Sequence, residues 1–145
     1  MCSSDLYGLI WGGDWNGQTC PNADYSSCFN VYYRLNVIWS GNLDQQLTIQ
    51  LKRIDFHDAN DNVGRGVDLI PATTVNVNPP SQDYQTWAVK VYPNGVMRLF
   101  LNGNQIFEVF DTMYFTNPYF GAFSSTDEYN GLEAEFDYFQ ASFVD

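Results

Sequence analysis

Residues 87–110, WAVKVYPNGVMRLFLNGNQIFEVF, constrain the fold more than any other stretch of the chain. Apolar side chains recur at every second position, which is the repeat of a β-strand and not of a helix. Two Asn-Gly pairs, Asn94-Gly95 and Asn102-Gly103, cut the run into three segments, and Asn-Gly is the dipeptide that hairpin turns favour. Burial decides the register. A two-residue loop at Asn94-Gly95 would place Arg98 on the same face as Val89 and Val91. A three-residue loop of Pro93, Asn94 and Gly95 sets Trp87, Val89 and Val91 opposite Leu101, Leu99 and Met97. The same loop length at Asn102, Gly103 and Asn104 adds Phe107 and Val109 to that face. Each apolar side chain moved out of water is worth about 1.5–3 kcal/mol, so the register with the clean apolar face is expected. The opposite face then carries Ala88, Lys90, Tyr92, Val96, Arg98, Phe100, Ile106, Glu108 and Phe110. In that register Arg98 stands directly across from Glu108, a favourable cross-strand pair.

Other segments repeat the pattern. LYGLIWGG opens the series. NVYYRLNVIW sets Val31, Tyr33, Leu35, Val37 and Trp39 against Tyr32, Arg34, Asn36 and Ile38. LTIQLKRI sets Leu47, Ile49 and Leu51 against Thr48, Gln50 and Lys52. Residues 55–68 and 71–83 read as loops, because turn formers and prolines crowd them. NPYFGAFSST and GLEAEFDYF supply two more strand-like runs. No segment carries apolar residues at helical spacing over three turns. Many short strands separated by Gly, Pro and Asn turns predict an all-β fold, an antiparallel two-sheet β-sandwich, and 145 residues suit one domain.

Six Lys and Arg stand against 17 Asp and Glu, for a net charge of -11. Nucleic acid and anionic membranes need a basic footprint, so neither is expected as a partner. A neutral polymer such as a polysaccharide remains compatible, and no apolar run approaches the roughly 20 residues of a membrane span. The first six residues, MCSSDL, share no periodicity with the strand-like run that begins at Tyr7. Cys2 to Leu6 can be encoded by TGC TCT TCC GAT CTN, the end of a common sequencing adapter. Residues 1–6 are therefore expected to be foreign to a single domain at 7–145, with more natural chain upstream. Cys20 and Cys28 then remain, flanking a Pro-, Asn- and Ser-containing loop. A local disulfide and an extracellular setting are one reading, and two free thiols are the other.

Three constellations could carry chemistry. Glu133, Glu135 and Asp137 alternate, so on a strand they share one face about 6.5–7 Å apart. Carboxyl pairs at comparable separations serve glycoside hydrolases as nucleophile or base and as general acid. The same alternation also describes the polar face of a half-buried strand, with Leu132, Ala134, Phe136 and Tyr138 on the other side. Asp58, Asn60, Asp61 and Asn62, with Asp55 or Asp68 nearby, could offer oxygens to a structural calcium ion or could form a solvated turn. The aromatic surplus, 17% of residues, is the best functional clue. Sugar rings stack their apolar faces on Trp and Tyr, and Trp11, Trp15, Trp39, Tyr92, Tyr114 and Tyr129 are candidates. Trp15 leads them, because GGDWNG reads as an exposed loop. Trp87 is assigned to the core.

The hairpin WAVKVYPNGVMRLFLNG resembles the W-x-V-x-V, turn, x-L-x-L-N-G hairpin of concanavalin A-like jelly rolls, which include laminin G-like domains, lectins and glucanases. NPYFGAFSSTDEYNGLEAEFDYFQAS is similar to their closing segment, and YGLIWGGDW with YYRLNVIWSG to an upstream strand pair. The resemblance implies a jelly-roll sandwich lacking one or more N-terminal strands. It specifies function poorly, since the superfamily holds binding modules, enzymes and adhesion domains. Its laminarinase-type enzymes carry Glu-x-Asp-x-(x)-Glu on a central strand, whereas EAEFDY has a different order on the last strand. The leading expectation is a secreted, non-catalytic polysaccharide-binding sandwich, a module beside a catalytic domain in a longer protein. A glycoside hydrolase using Glu133, Glu135 or Asp137 and a structural or adhesion subunit are the alternatives.

Overall fold

The computed structural model describes residues 5–15, 29–39, 46–56, 65–77 and 85–125. These residues form eight strands: β1 (Asp5–Gly13), β2 (Tyr32–Trp39), β3 (Gln46–Phe56), β4 (Arg65–Asn76), β5 (Trp87–Val91), β6 (Val96–Leu101), β7 (Asn104–Phe110) and β8 (Tyr119–Ser125). They pair into a five-stranded sheet in the order β4-β3-β2-β1-β8 and a three-stranded sheet in the order β5-β6-β7. Every strand pairing among the described residues is antiparallel. The alternation read from the sequence builds the interior. Tyr33, Leu35 and Val37 of β2 and Leu47, Ile49 and Leu51 of β3 pack with Met97, Leu99 and Leu101 of β6 in one core. The fold is therefore all-β and sandwich-like, with its largest buried cluster between the two sheets.

The β5–β6 hairpin has the expected register: Trp87, Val89 and Val91 pair with Leu101, Leu99 and Met97. Pro93, Asn94 and Gly95 form the loop, closed by Tyr92 N–H donating to Val96 O at 2.9 Å and Gly95 N–H donating to Tyr92 O at 2.9 Å. Gly95 takes the left-handed conformation, φ 85°, and a Cβ there would meet the Thr112 side chain at 2.6 Å. Trp87 packs half-buried against the core and donates its indole N–H to Tyr7 Oη at 3.3 Å.

The β6–β7 hairpin corrects one detail. Leu101 pairs with Asn104, so the loop is two residues, Asn102 and Gly103, both left-handed at φ 50° and 83°. That is the backbone of the favoured two-residue hairpin turn. The residue saved in the loop reappears as a bulge: Phe100 pairs with Gln105 while Leu99 pairs with Phe107. Beyond it the expected pairs hold, Met97 with Val109 and Arg98 with Glu108. The bulge also moves Ile106, expected on the outer face, into contact with the core.

β4 is the larger correction, because its sequence reads as loop. RGVDLIPATTVN runs as a strand beside β3, at the end of the sheet order among the described residues. Ile49 pairs with Thr73 and Leu51 with Ile70, so Pro71 and Ala72 together face Gln50. A bulge on a terminal strand is where a residue without an N–H can be accommodated. Proline thus punctuates this strand without ending it.

Candidate functional site

The β1–β2 ladder continues past β1 toward Trp15. Asp14 N–H donates to Val31 O and Asn30 N–H to Asp14 O, both at 3.1 Å, and Trp15 forms an isolated bridge with Phe29. Two glycines make the close packing here possible. Gly12 has φ 63°, and a Cβ on it would lie 2.7 Å from Tyr114 O and 2.8 Å from the Tyr33 ring. A Cβ on Gly13 would lie 2.9 Å from the Phe29 ring and 3.2 Å from Tyr119 Cβ. Tyr119, at the start of β8, pairs with Gly13 across a bulge in the β1–β8 register. Three rings therefore gather at one place. Trp15 meets Tyr119 edge-on with ring centres 6.0 Å apart and planes at 67°, and Phe29 lies 6.2 Å from Tyr119. Trp15 is 45% exposed and Tyr119 42%, so both present ring surface to solvent.

A polar cluster lies next to these rings along the chain. The connection between β7 and β8, residues 111–118, starts at Asp111, whose side chain is buried. Its carboxylate accepts from Tyr33 Oη at 2.5 Å, from Arg53 Nη1 at 2.5 Å and from the Met113 N–H at 2.9 Å. Burial opposes its charge, but the bonds from Tyr33, Met113 and Arg53 outweigh that and hold its carboxyl below the usual range. Arg53 also holds Asp55, through Nε at 2.8 Å and Nη2 at 3.2 Å. The Asp55 bond, with Asp111 beside it, raises the guanidinium pKa. Tyr114 donates its hydroxyl to Asp55 Oδ1 at 2.8 Å and its N–H to Tyr33 Oη at 3.0 Å. Burial foremost, and then the carboxylate neighbours, push the Tyr33 and Tyr114 phenols above their ordinary value. With both carboxylates bonded to one guanidinium, the cluster is built to fix chain segments.

The sequence candidates separate. Trp15 is exposed as expected. Trp11 is 8% exposed, stacks on Tyr33 at 5.7 Å and donates its indole N–H to Met97 Sδ at 3.3 Å, so it belongs to the core and offers no platform. Tyr92 lies beneath Arg98, whose guanidinium carbon is 4.9 Å from the ring centre. Tyr114 belongs to the Arg53 cluster. Trp39 closes β2, opposite Asp5. Asp68 lies on β4, paired with Lys52 at 3.5 Å and accepting from Gln50 Nε2 at 3.2 Å. Asp58, Asn60, Asp61, Asn62, Cys20, Cys28, Tyr129, Glu133, Glu135 and Asp137 lie outside the described residues. Among the described residues no group of three or more His, Cys, Asp or Glu side chains assembles that could hold a metal.

The structure adds residues the sequence reading did not single out. Tyr119 was legible only as part of a strand, and its place beside Trp15 depends on a bulge. Asp111 and Arg53 are 58 positions apart and meet only because β3 and the β7–β8 connection close one end of the sandwich. No family model, no curated protein and no solved structure matches the chain.

Proposed function

We propose that this chain is a secreted, non-catalytic polysaccharide-binding β-sandwich that contacts sugar through Trp15 and Tyr119. The observation that carries the reading is the exposed, mutually braced pair of rings. Large aromatic side chains left in water cost hydrophobic free energy, and an exposed pair backed by a third ring is what a stacking ligand would cover. The 67° angle makes a corner and not a flat platform. A corner suits one or two pyranose rings of a soluble chain, one ring stacked and its edge against the second aromatic. The net charge of -11 favours a neutral polymer over an anionic one. The resemblance to concanavalin A-like domains agrees with this reading, as would an extracellular disulfide between Cys20 and Cys28.

Affinity electrophoresis through gels containing β-glucan, xylan or mannan tests it. Retention is expected in at least one gel. Trp15→Ala should weaken binding by about 1–3 kcal/mol, a hot-spot loss of roughly five- to 150-fold, and Tyr119→Ala by less. Glu133→Gln should leave retention intact. Unretained native protein, or retention indifferent to Trp15→Ala, overturns the reading. Sugar release that disappears in Glu133→Gln would establish the hydrolase alternative.

A further inference from the structure

We propose that Asp111 is a positioning residue for the Trp15–Tyr119 pair, acting through the connection between β7 and β8. The glycan role of the pair rests on the function proposed above, but the positioning itself does not. Residues 111–118 carry the chain from the three-stranded sheet to the five-stranded one, and Tyr119 is the first residue of β8. The connection is held at its start, middle and end. At its start, the Asp111 carboxylate takes Tyr33 from β2 and Arg53 from β3, while Asp111 N–H donates to Gly95 O at 3.0 Å in the β5–β6 loop. In its middle, Tyr114 reaches the same Tyr33 and, through Asp55, the same Arg53. At its end, Asn117 N–H donates to Tyr114 O at 3.0 Å and Asn117 Nδ2 donates to Gly12 O at 3.2 Å.

The last bond matters most for the rings. Asn117 is two residues before Tyr119, and Gly12 is three before Trp15, so one hydrogen bond ties the approaches to both. Gly12 also has no room to shift toward the connection, since a Cβ there would already clash with Tyr114 O. Releasing Asp111 removes the acceptor that orients Tyr33 Oη and one of the two carboxylates that fix Arg53, the groups on which Tyr114 is held, and so loosens the connection as far as Asn117 and lets the Gly12-Gly13 segment move relative to Tyr119. A carboxylate suits the pin because it accepts all three donors at once, whereas an amide would turn an N–H₂ toward one of them.

Two variants and two readouts test this. Asp111→Asn keeps the shape of the side chain and loses one acceptor. Asn117→Ala removes only the tie to Gly12, on a half-buried side chain, and serves should Asp111→Asn fail to fold. The Trp15 indole N–H resonance, identified by its loss in Trp15→Phe, reports ring placement without any ligand. It should move in both variants and stay unmoved in Glu108→Gln, which alters an ion pair of nearly the same length elsewhere. Polysaccharide retention should fall roughly fivefold in each variant, the factor equivalent to about one hydrogen bond. An unmoved Trp15 resonance in the folded variants overturns the positioning role. A moved resonance in a protein that retains no polysaccharide upholds the positioning role and removes the glycan reading instead.

Discussion

Two arginine–carboxylate pairs in this protein have nearly the same length and opposite settings. Arg53 meets Asp111 at 2.5 Å, and Arg98 meets Glu108 at 2.6 Å. The Asp111 side chain is 7% exposed and joins β2, β3 and the β7–β8 connection, segments far apart in sequence. The Glu108 side chain is 48% exposed and lies directly across one hairpin from its partner. Distance alone does not rank them. In water, a pair such as Arg98–Glu108 gains little because solvent already serves both charges and salt screens them. At the sandwich end, Arg53 and Asp111 have exchanged much of that solvent for each other and for fixed hydroxyl and amide donors.

The largest expected effect breaks the buried pair. Asp111→Ala leaves Arg53 with Asp55 alone and strips Tyr33 Oη of its acceptor. Removing one partner of a buried pair costs about 3–5 kcal/mol, and the partial exposure of Arg53 argues for the lower end. Urea unfolding at neutral pH should show it as a lower midpoint with an unchanged slope. The pH dependence sharpens the assignment. The Asp111 carboxyl is held below its ordinary value, so its contribution is fully present above the unfolded-state pKa and is lost as pH falls through the lower folded value. Tyr33, Arg53, Asp55 and Tyr114 face it, and neither the guanidinium nor the raised phenols titrate in that acid window. The stability gap between native protein and Asp111→Asn should therefore narrow as the pH drops from 5 toward 2. A gap that stays constant over that range would show that Asp111 is not the titrating group.

A middle-sized effect is expected at Tyr33. Its hydroxyl donates to Asp111 and accepts from the Tyr114 N–H, while its ring stacks on Trp11. Tyr33→Phe keeps the ring and removes both bonds. The loss should be about 1–3 kcal/mol, because a part-buried amide and a buried carboxylate oxygen each lose a partner. Hydrogen exchange should rise first at the Tyr114 amide. If the Tyr114 amide keeps its protection, the hydroxyl is not its acceptor in solution.

The same contrast explains what the sequence could reveal. The β5–β6–β7 sheet was legible because it is local: alternation, two Asn-Gly turns and one apolar face settle the pairing, including Arg98 with Glu108. Even there the sequence points to a second loop one residue too long, since moving a bulge from the loop to Ile106 preserves the later pairs. β4 was hidden by Pro71, which a terminal strand tolerates at a bulge and a central strand would not. Trp11 and Trp15 look alike in composition, yet one stacks in the core and the other faces water. The left-handed Gly12 lies between them, at the end of the regular β1–β2 pairing. The Arg53 cluster had no sequence signal at all, because its members share no spacing and meet only through the closure of the two sheets.

The smallest effect belongs to the exposed pair. Arg98 has a second contact, since its guanidinium lies over the Tyr92 ring and its Nη1 donates to Tyr92 Oη at 3.3 Å. Glu108→Gln keeps an acceptor oxygen opposite Nε and leaves the Tyr92 contact in place. What it removes is a charge that solvent can replace. Its unfolding midpoint should therefore match that of the native protein at moderate salt and differ only at low ionic strength, where screening is weak. A clear loss at moderate salt would mean that the outer face of the three-stranded sheet is less open to water than its exposure indicates. The contrast between the two ion pairs would then have to be sought in geometry and not in burial.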